Sequence, residues 1–161
     1  MIRIILLACL SLNLGLSLPL QAAPMANGGP VDITSKQLDV NQSGKTATFS
    51  GNVVVQQGTF SLTAPKVVAD YSGSGSDIKT IQATGGVTIT RVADGATEKA
   101  TGTTATYAPG ARQLVLSGNV TLVRGPSQLS GDKLVYDMAS GNARVTSSSG
   151  PVKARFVPGA K

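Results

Sequence analysis

From Val31 onward, apolar residues recur at every second position. Leu114, Leu116, Gly118, Val120 and Leu122 share one parity, while Gln113, Ser117, Asn119 and Thr121 occupy the other. Ala47, Phe49, Gly51, Val53 and Val55 alternate in the same way with Thr46, Thr48, Ser50 and Asn52. Successive strand residues face opposite sides of a sheet, so each segment predicts a strand with an apolar inner face and a hydroxyl-rich outer one. Turn signals separate the segments at Asn41–Gly44, Ser72–Asp77, Ala93–Gly95, Ala108–Gly110 and Ala139–Asn142. No substantial stretch carries helical spacing. The pattern predicts an all-β chain of antiparallel strands joined by hairpins.

The strands repeat. Ser50-Gly51-Asn52-Val53 superimposes on Ser117-Gly118-Asn119-Val120 at an offset of 67 residues. Without a gap, Gly58 then meets Gly125, Leu62 meets Leu129, Lys66 meets Lys133, Val68 meets Val135 and Asp70 meets Asp137. Each unit splits again, because an apolar-x-small-x-x-apolar-x-apolar pattern starts at Ile33, Leu62, Ala100 and Leu129, each followed by a Gly-x-Val segment at Gly51, Gly85, Gly118 or Gly150. Repetition of this kind predicts stacked, similar layers.

Within the four-fold pattern the apolar parity slips by one residue, as between Ala64 and Val67 or Gly131 and Leu134. A strand that stays apolar-inward across such a slip must bend or bulge there. Bent layers stacked on one another predict a rolled or V-shaped sheet, a jelly roll or folded solenoid, enclosing one long apolar groove. Its lining is predicted to include Phe49, Val53, Val55, Leu62, Leu114, Leu116, Val120, Leu122 and Leu129. The third copy, Ala100, Gly102 and Ala105, is poor in bulk and predicts a wider or shallower groove at that level. A stack of this kind leaves a strand open at each end, available for head-to-tail association unless blunted by Pro24, Pro30, Pro151 and the terminal lysines.

The first residues read differently. Met1-Ile2-Arg3 is a short basic start, residues 4–18 are nearly all apolar, and Leu20-Gln21-Ala22 supplies a small residue for cleavage. This is a secretory signal, expected at 1–22, followed by a flexible segment at 23–30, a β domain at 31–157 and a flexible end at 158–161. Asn13, Gly15 and Pro19 interrupt the apolar run, which argues against a retained span. Cys9 follows too few apolar residues for a lipidation signal. Cleavage removes the only cysteine, so no disulfide holds the exported chain. It also removes Arg3, leaving thirteen basic residues against eight acidic ones, a net charge of +5. These charges are spread along the chain, unlike a nucleic-acid footprint.

Catalytic chemistry is not apparent. The chain contains no histidine, and its acids are scattered. Asp132 and Asp137 are five residues apart and would face opposite sides of a regular strand. Gly44-Lys45-Thr46 imitates the end of a phosphate loop, but Asp39 stands where the leading glycine belongs and a strand follows, which makes it a hairpin turn. No catalytic residue, metal ligand or cofactor site is assigned. Tyr71, Tyr107 and Tyr136 sit at strand ends, where core or rim packing is expected and sugar stacking is the alternative. Lys36, Lys66 and Lys133 recur at the bends, as candidates for lipid phosphates or as guards of solubility.

The two Ser-Gly-Asn-Val strands, Gly58 and Gly125, and the segments Leu62-x-Ala64-x-Lys66-Val67 and Leu129-x-Gly131-x-Lys133-Leu134, behind a signal peptide, resemble the OstA-like family. The likeness runs from about Val31 to Phe156 and rests on order, spacing and duplication. It implies a twisted open β-jellyroll of about sixteen strands in the periplasm of a two-membrane bacterium. It further implies a non-enzymatic carrier of lipopolysaccharide whose interior holds the acyl chains of lipid A. The partners implied are the periplasmic domain of the inner-membrane component LptC and the N-terminal domain of the outer-membrane protein LptD. A soluble bridge between them is expected, since LptC would keep an N-terminal anchor and LptD would continue into a barrel. A self-assembling envelope protein and an exported polysaccharide binder are the alternatives from the residues alone.

Overall fold

The computed structural model describes residues 29–72, 77–93 and 95–157. The expected signal peptide, most of the flexible segment after it, the end at 158–161, Gly73–Ser76 and Asp94 lie outside them. The described residues form ten strands and no helix: β1 Asp32–Thr34, β2 Gln37–Asn41, β3 Thr46–Gln57, β4 Phe60–Ser72, β5 Asp77–Ala93, β6 Ala96–Ala108, β7 Gln113–Arg124, β8 Ser127–Asp137, β9 Ala143–Thr146 and β10 Lys153–Arg155. No helix among these residues is long and apolar enough to cross a membrane.

The six long strands pair antiparallel in sequence order, β3 to β8. β1 and β2 both lie on β3, at Asp32↔Gln56 and Gln37↔Ser50, and β9 and β10 both lie on β8, at Lys133↔Thr146 and Lys153↔Ser130. The sheet does not close, because its two outermost members pair on one side alone. Each long strand crosses the sheet's bend, and each end pair is one such strand broken there. Counted half by half, the ten strands are sixteen, in agreement with the expected jellyroll.

The bend has a local cause. Register shifts fall at Ser50/Val53, Thr63/Lys66, Thr84/Val87, Thr101/Thr104 and Ser117/Val120. At each, the extra residue belongs to β3, β5 or β7, in the Gly-x-Val segment. The sequence pattern placed the irregularity in β4 and β8. The structure adds the bulge on the strands opposite, where Gly51, Gly85, Gly86 and Gly118 adopt positive φ (81°, 92°, 94° and 82°). Asn52 and Asn119 follow at 50° and 49°, a conformation asparagine tolerates better than most side chains. Around this line the sheet folds into two leaves.

Candidate functional site: the cleft between the leaves

The inner faces of the leaves form the core. Val53, Val55, Leu62, Val67, Ile81, Leu116, Val120 and Leu134 are fully buried, and the described residues include no buried polar or charged residue. Of the predicted lining, Val53, Val55, Leu62, Leu114, Leu116 and Val120 are buried, and Phe49 and Leu122 are half-buried against them. Leu129 is half-buried at one end. Parity therefore identified the inner face. The space expected at the small third copy is partly taken, because a Cβ on Gly102 would come 2.7 Å from Leu116 Cγ. The leucine of β7 fills the room that β6 leaves.

Toward the strand ends the leaves separate around three voids. A central cavity of about 30 Å³ is lined by Phe60, Ile89, Ala100, Leu114, Leu122 and Leu134, with Arg91, Glu98, Tyr136 and Met138 at its mouth. A cleft of about 720 Å³ adjoins it and shares Phe60, Arg91 and Met138, reaching Val31 and Arg112. A second cleft, of about 670 Å³, shares Glu98, Leu122 and Tyr136 and runs past Leu129 to Phe156. Together they run along the fold from one open end to the other, apolar and narrowest at the centre and mixed in polarity in the two outer clefts.

Contacts between the leaves close that narrow point. The Tyr107 hydroxyl donates to Gln57 Oε1, and the Phe60 and Tyr107 rings lie 5.3 Å apart at 32°. Arg91 places its guanidinium 5.2 Å from the centre of the Tyr136 ring. Burial raises the Tyr107 pKa, partly offset by the charge of Arg112, so its hydroxyl is a donor at neutral pH. Two of the three tyrosines are thus used at the mouth. Tyr71 instead donates to Asn41 O at 3.5 Å, next to a turn.

The candidate lysines are elsewhere. Lys66 and Lys133 are exposed on the outer side of the bend, in a row of register partners with Ser50, Thr84, Thr104, Ser117 and Thr146. Lys36 is exposed beside Ser50, its N–H directed to the Ser50 and Gly51 carbonyls at 3.1 and 3.0 Å. Four strand steps separate Lys66 from Lys133, roughly 19 Å. None of the three lines the cavities described. Asp132 and Asp137 do not form a pair either. Asp132 accepts from the hydroxyls of Ser147, Ser148 and Ser149 and the amides of Ser148 and Ser149, and Asp137 from the Ala139 and Ser140 amides. These bonds hold both carboxyls below the usual range. Gly44-Lys45-Thr46 is a turn, with Gly44 N–H donating to Asn41 Oδ1 at 2.8 Å.

Comparison with known proteins follows the same lines. The family described as LptA/(LptD N-terminal domain) LPS transport protein matches residues 32–142. The lipopolysaccharide export system protein LptA of Escherichia coli (strain K12) is 32% identical over 136 residues, 79% of this chain and 74% of that one. An uncharacterised protein of Rhizobium meliloti (strain 1021) is 28% identical over 161 residues, 95% of this chain and 84% of that one. The crystal structure of LptH, the LptA homologous periplasmic component of the lipopolysaccharide transport device of Pseudomonas aeruginosa, superimposes with a TM-score of 0.73. That match has 20% identity and covers 84% of this chain and all of the other. It establishes the fold.

Proposed function

The chain belongs to the LptA/LptD N-terminal-domain family of lipopolysaccharide transport proteins, and from that premise we propose that it is a periplasmic bridge holding lipid A acyl chains between its two leaves. The carrying observation is a continuous course with an apolar centre, which shares residues from one cleft to the next and is lined by both leaves. Leu114, Leu122 and Leu129 face that course now. Phe49, Val53, Val55, Leu62, Leu116 and Val120 line none of these voids and pack in the core behind them, where acyl chains would reach them only as the leaves part. Seating acyl chains along the length of the course requires the leaves to part at Phe60–Tyr107.

Burying an acyl chain gains roughly 0.8 kcal/mol per methylene, so several chains would leave too slowly unaided. A carrier of this kind therefore hands its cargo along and does not release it to water, driven by work done elsewhere. The open ends suit that transfer. β2 exposes Leu38 and Val40, and the other end exposes Val152, Phe156 and Val157. Unpaired strands with apolar side chains can extend the sheet onto the periplasmic domain of LptC, the N-terminal domain of LptD or a second copy of this chain. No step of this role breaks a covalent bond, and the reading is non-enzymatic.

Mass spectrometry of lipid extracted from protein purified out of a bacterial envelope tests it. Lipid A-bearing glycolipid is the expected passenger. Protein that is reproducibly lipid-free, or that carries the bulk phospholipids in their membrane proportions, would contradict it.

A further inference from the structure

We infer that Arg91 is an anion-recognition residue at the mouth of the cleft, binding a phosphate of the lipid headgroup while the acyl chains lie beneath it; this rests on the carrier reading above. Among the described residues, one buried side-chain polar atom lacks a hydrogen-bond partner, and it is Arg91 Nη1. A buried charged donor without an acceptor is unfavourable, and such a group in a native fold calls for a reason.

Its surroundings supply one. In the register Arg91 stands between Phe60 of β4 and Glu98 of β5's other neighbour, β6. Glu98 is engaged by Arg124, at 3.3 Å from Nη1 to Oε1, on its far side. The Tyr136 ring beneath the guanidinium holds it by cation–π attraction without consuming an N–H. Arg91 therefore keeps hydrogen-bonding capacity while fixed in place. The guanidinium fork matches a phosphate's paired oxygens.

The position also suits an amphiphile. Arg91 lines both the central cavity, whose walls are Ile89, Ala100, Leu114 and Leu134, and the open cleft beyond. In that cleft a second cation, Arg112, accompanies it, with Asp77 as the acid. An anion at this boundary would anchor the headgroup at the rim with its chains directed into the apolar interior. The bend lysines, on the opposite side of the sheet, have no such relation to the cavity.

The test compares lipid A carrying its phosphates with the same lipid dephosphorylated, and inorganic phosphate alone, on the full chain. The unaltered protein is expected to bind the phosphorylated lipid about tenfold tighter, the scale of a charge-assisted fork. Arg91→Gln is expected to abolish that preference, binding both lipids alike, and its continued binding of the dephosphorylated lipid also shows the variant folded. Arg91→Lys is expected to retain part of the preference, because it keeps the charge and loses the fork. Equal weakening of both lipids by Arg91→Gln would overturn the inference and reduce Arg91 to a clasp on Tyr136. Displacement of the lipid by millimolar inorganic phosphate would overturn the assignment to a headgroup. Binding of neither lipid by the unaltered protein would instead strike the carrier reading itself.

Discussion

Strand β6 and the pair β1–β2 are the same segment of the 67-residue repeat, one inside the sheet and one at its edge. β6 runs unbroken, and its Ala105 and Tyr107 are each 3% exposed. At the equivalent positions of β2, Leu38 is 51% exposed and Val40 56%. The far end repeats the contrast, where Ile89 is 4% exposed and Phe156, 67 residues on, is 69% exposed. The edge copies keep apolar side chains that no neighbour covers. What an interior strand obtains from the next layer, the end strands lack among the described residues.

The largest expected effect marks the interior side of this contrast. Leu116→Ala removes a fully buried side chain that also fills the space over Gly102, and is expected to cost about 3 kcal/mol in urea or thermal unfolding. Leu38→Ala is expected to change the stability of the isolated protein by less than about 0.5 kcal/mol. If the two cost the same, the edge strand is already covered in the monomer.

A smaller effect compares the duplicated corners. Gly51 and Gly118 share a φ near +80°, so alanine meets the same backbone strain at both. The neighbours differ: a Cβ on Gly118 would approach Thr103 Oγ1 to 2.5 Å, while one on Gly51 would meet Lys36 Cβ at 2.9 Å. Thr103 is held between strands, whereas Lys36 sits at the edge and can yield. Gly118→Ala is expected to cost about 2 kcal/mol and Gly51→Ala about 1 kcal/mol. Equal melting temperatures would mean that the edge is as rigid as the interior.

The smallest effect concerns how the last layer is tied down. In the first unit Pro65 packs against Gly85, whose Cβ would come 3.1 Å from Pro65 Cγ. The repeat puts Asp132 at the position of Pro65, and its carboxylate gathers Ser147–Ser149 between β9 and β10. These bonds lower its folded-state pKa, so the stability they lend is full above the unfolded value of about 4 and is lost as pH falls through the folded one. Acid is therefore expected to release the β9–β10 end before the centre. Faster hydrogen exchange at the Ser148 and Ser149 amides would show it, and Asp132→Asn should produce the same release at neutral pH. Uniform exchange across the sheet in acid would contradict it.

Much of this was legible in the chain because the duplication is gapless. Among the described residues, the non-glycine ones of positive φ form two pairs at the repeat offset, Lys45 with Arg112 and Asn52 with Asn119, so the backbone repeats as faithfully as the side chains. Parity separated inner from outer residues for the same reason. The bulges were hidden because Gly51 and Gly118 keep the even spacing of a regular strand while adding a residue against β4 and β8. The mouth was hidden because its contacts join distant, unrepeated residues. Tyr107 and Gln57 are 50 positions apart, and Arg91 has no counterpart in the other unit. The recurring lysines drew attention through periodicity, which reports a place in the layer, and they line none of the cavities described.

The central claim is that acyl chains lie between the leaves, and neighbouring residues can decide it. Phe49 and Leu122 face inward, and Thr48 and Thr121, one position before each, face out. A photoreactive amino acid placed at each of the four in living cells is expected to capture lipopolysaccharide at Phe49 and Leu122 and not at Thr48 or Thr121. Equal capture on both faces, or capture confined to the outer pair, would contradict it.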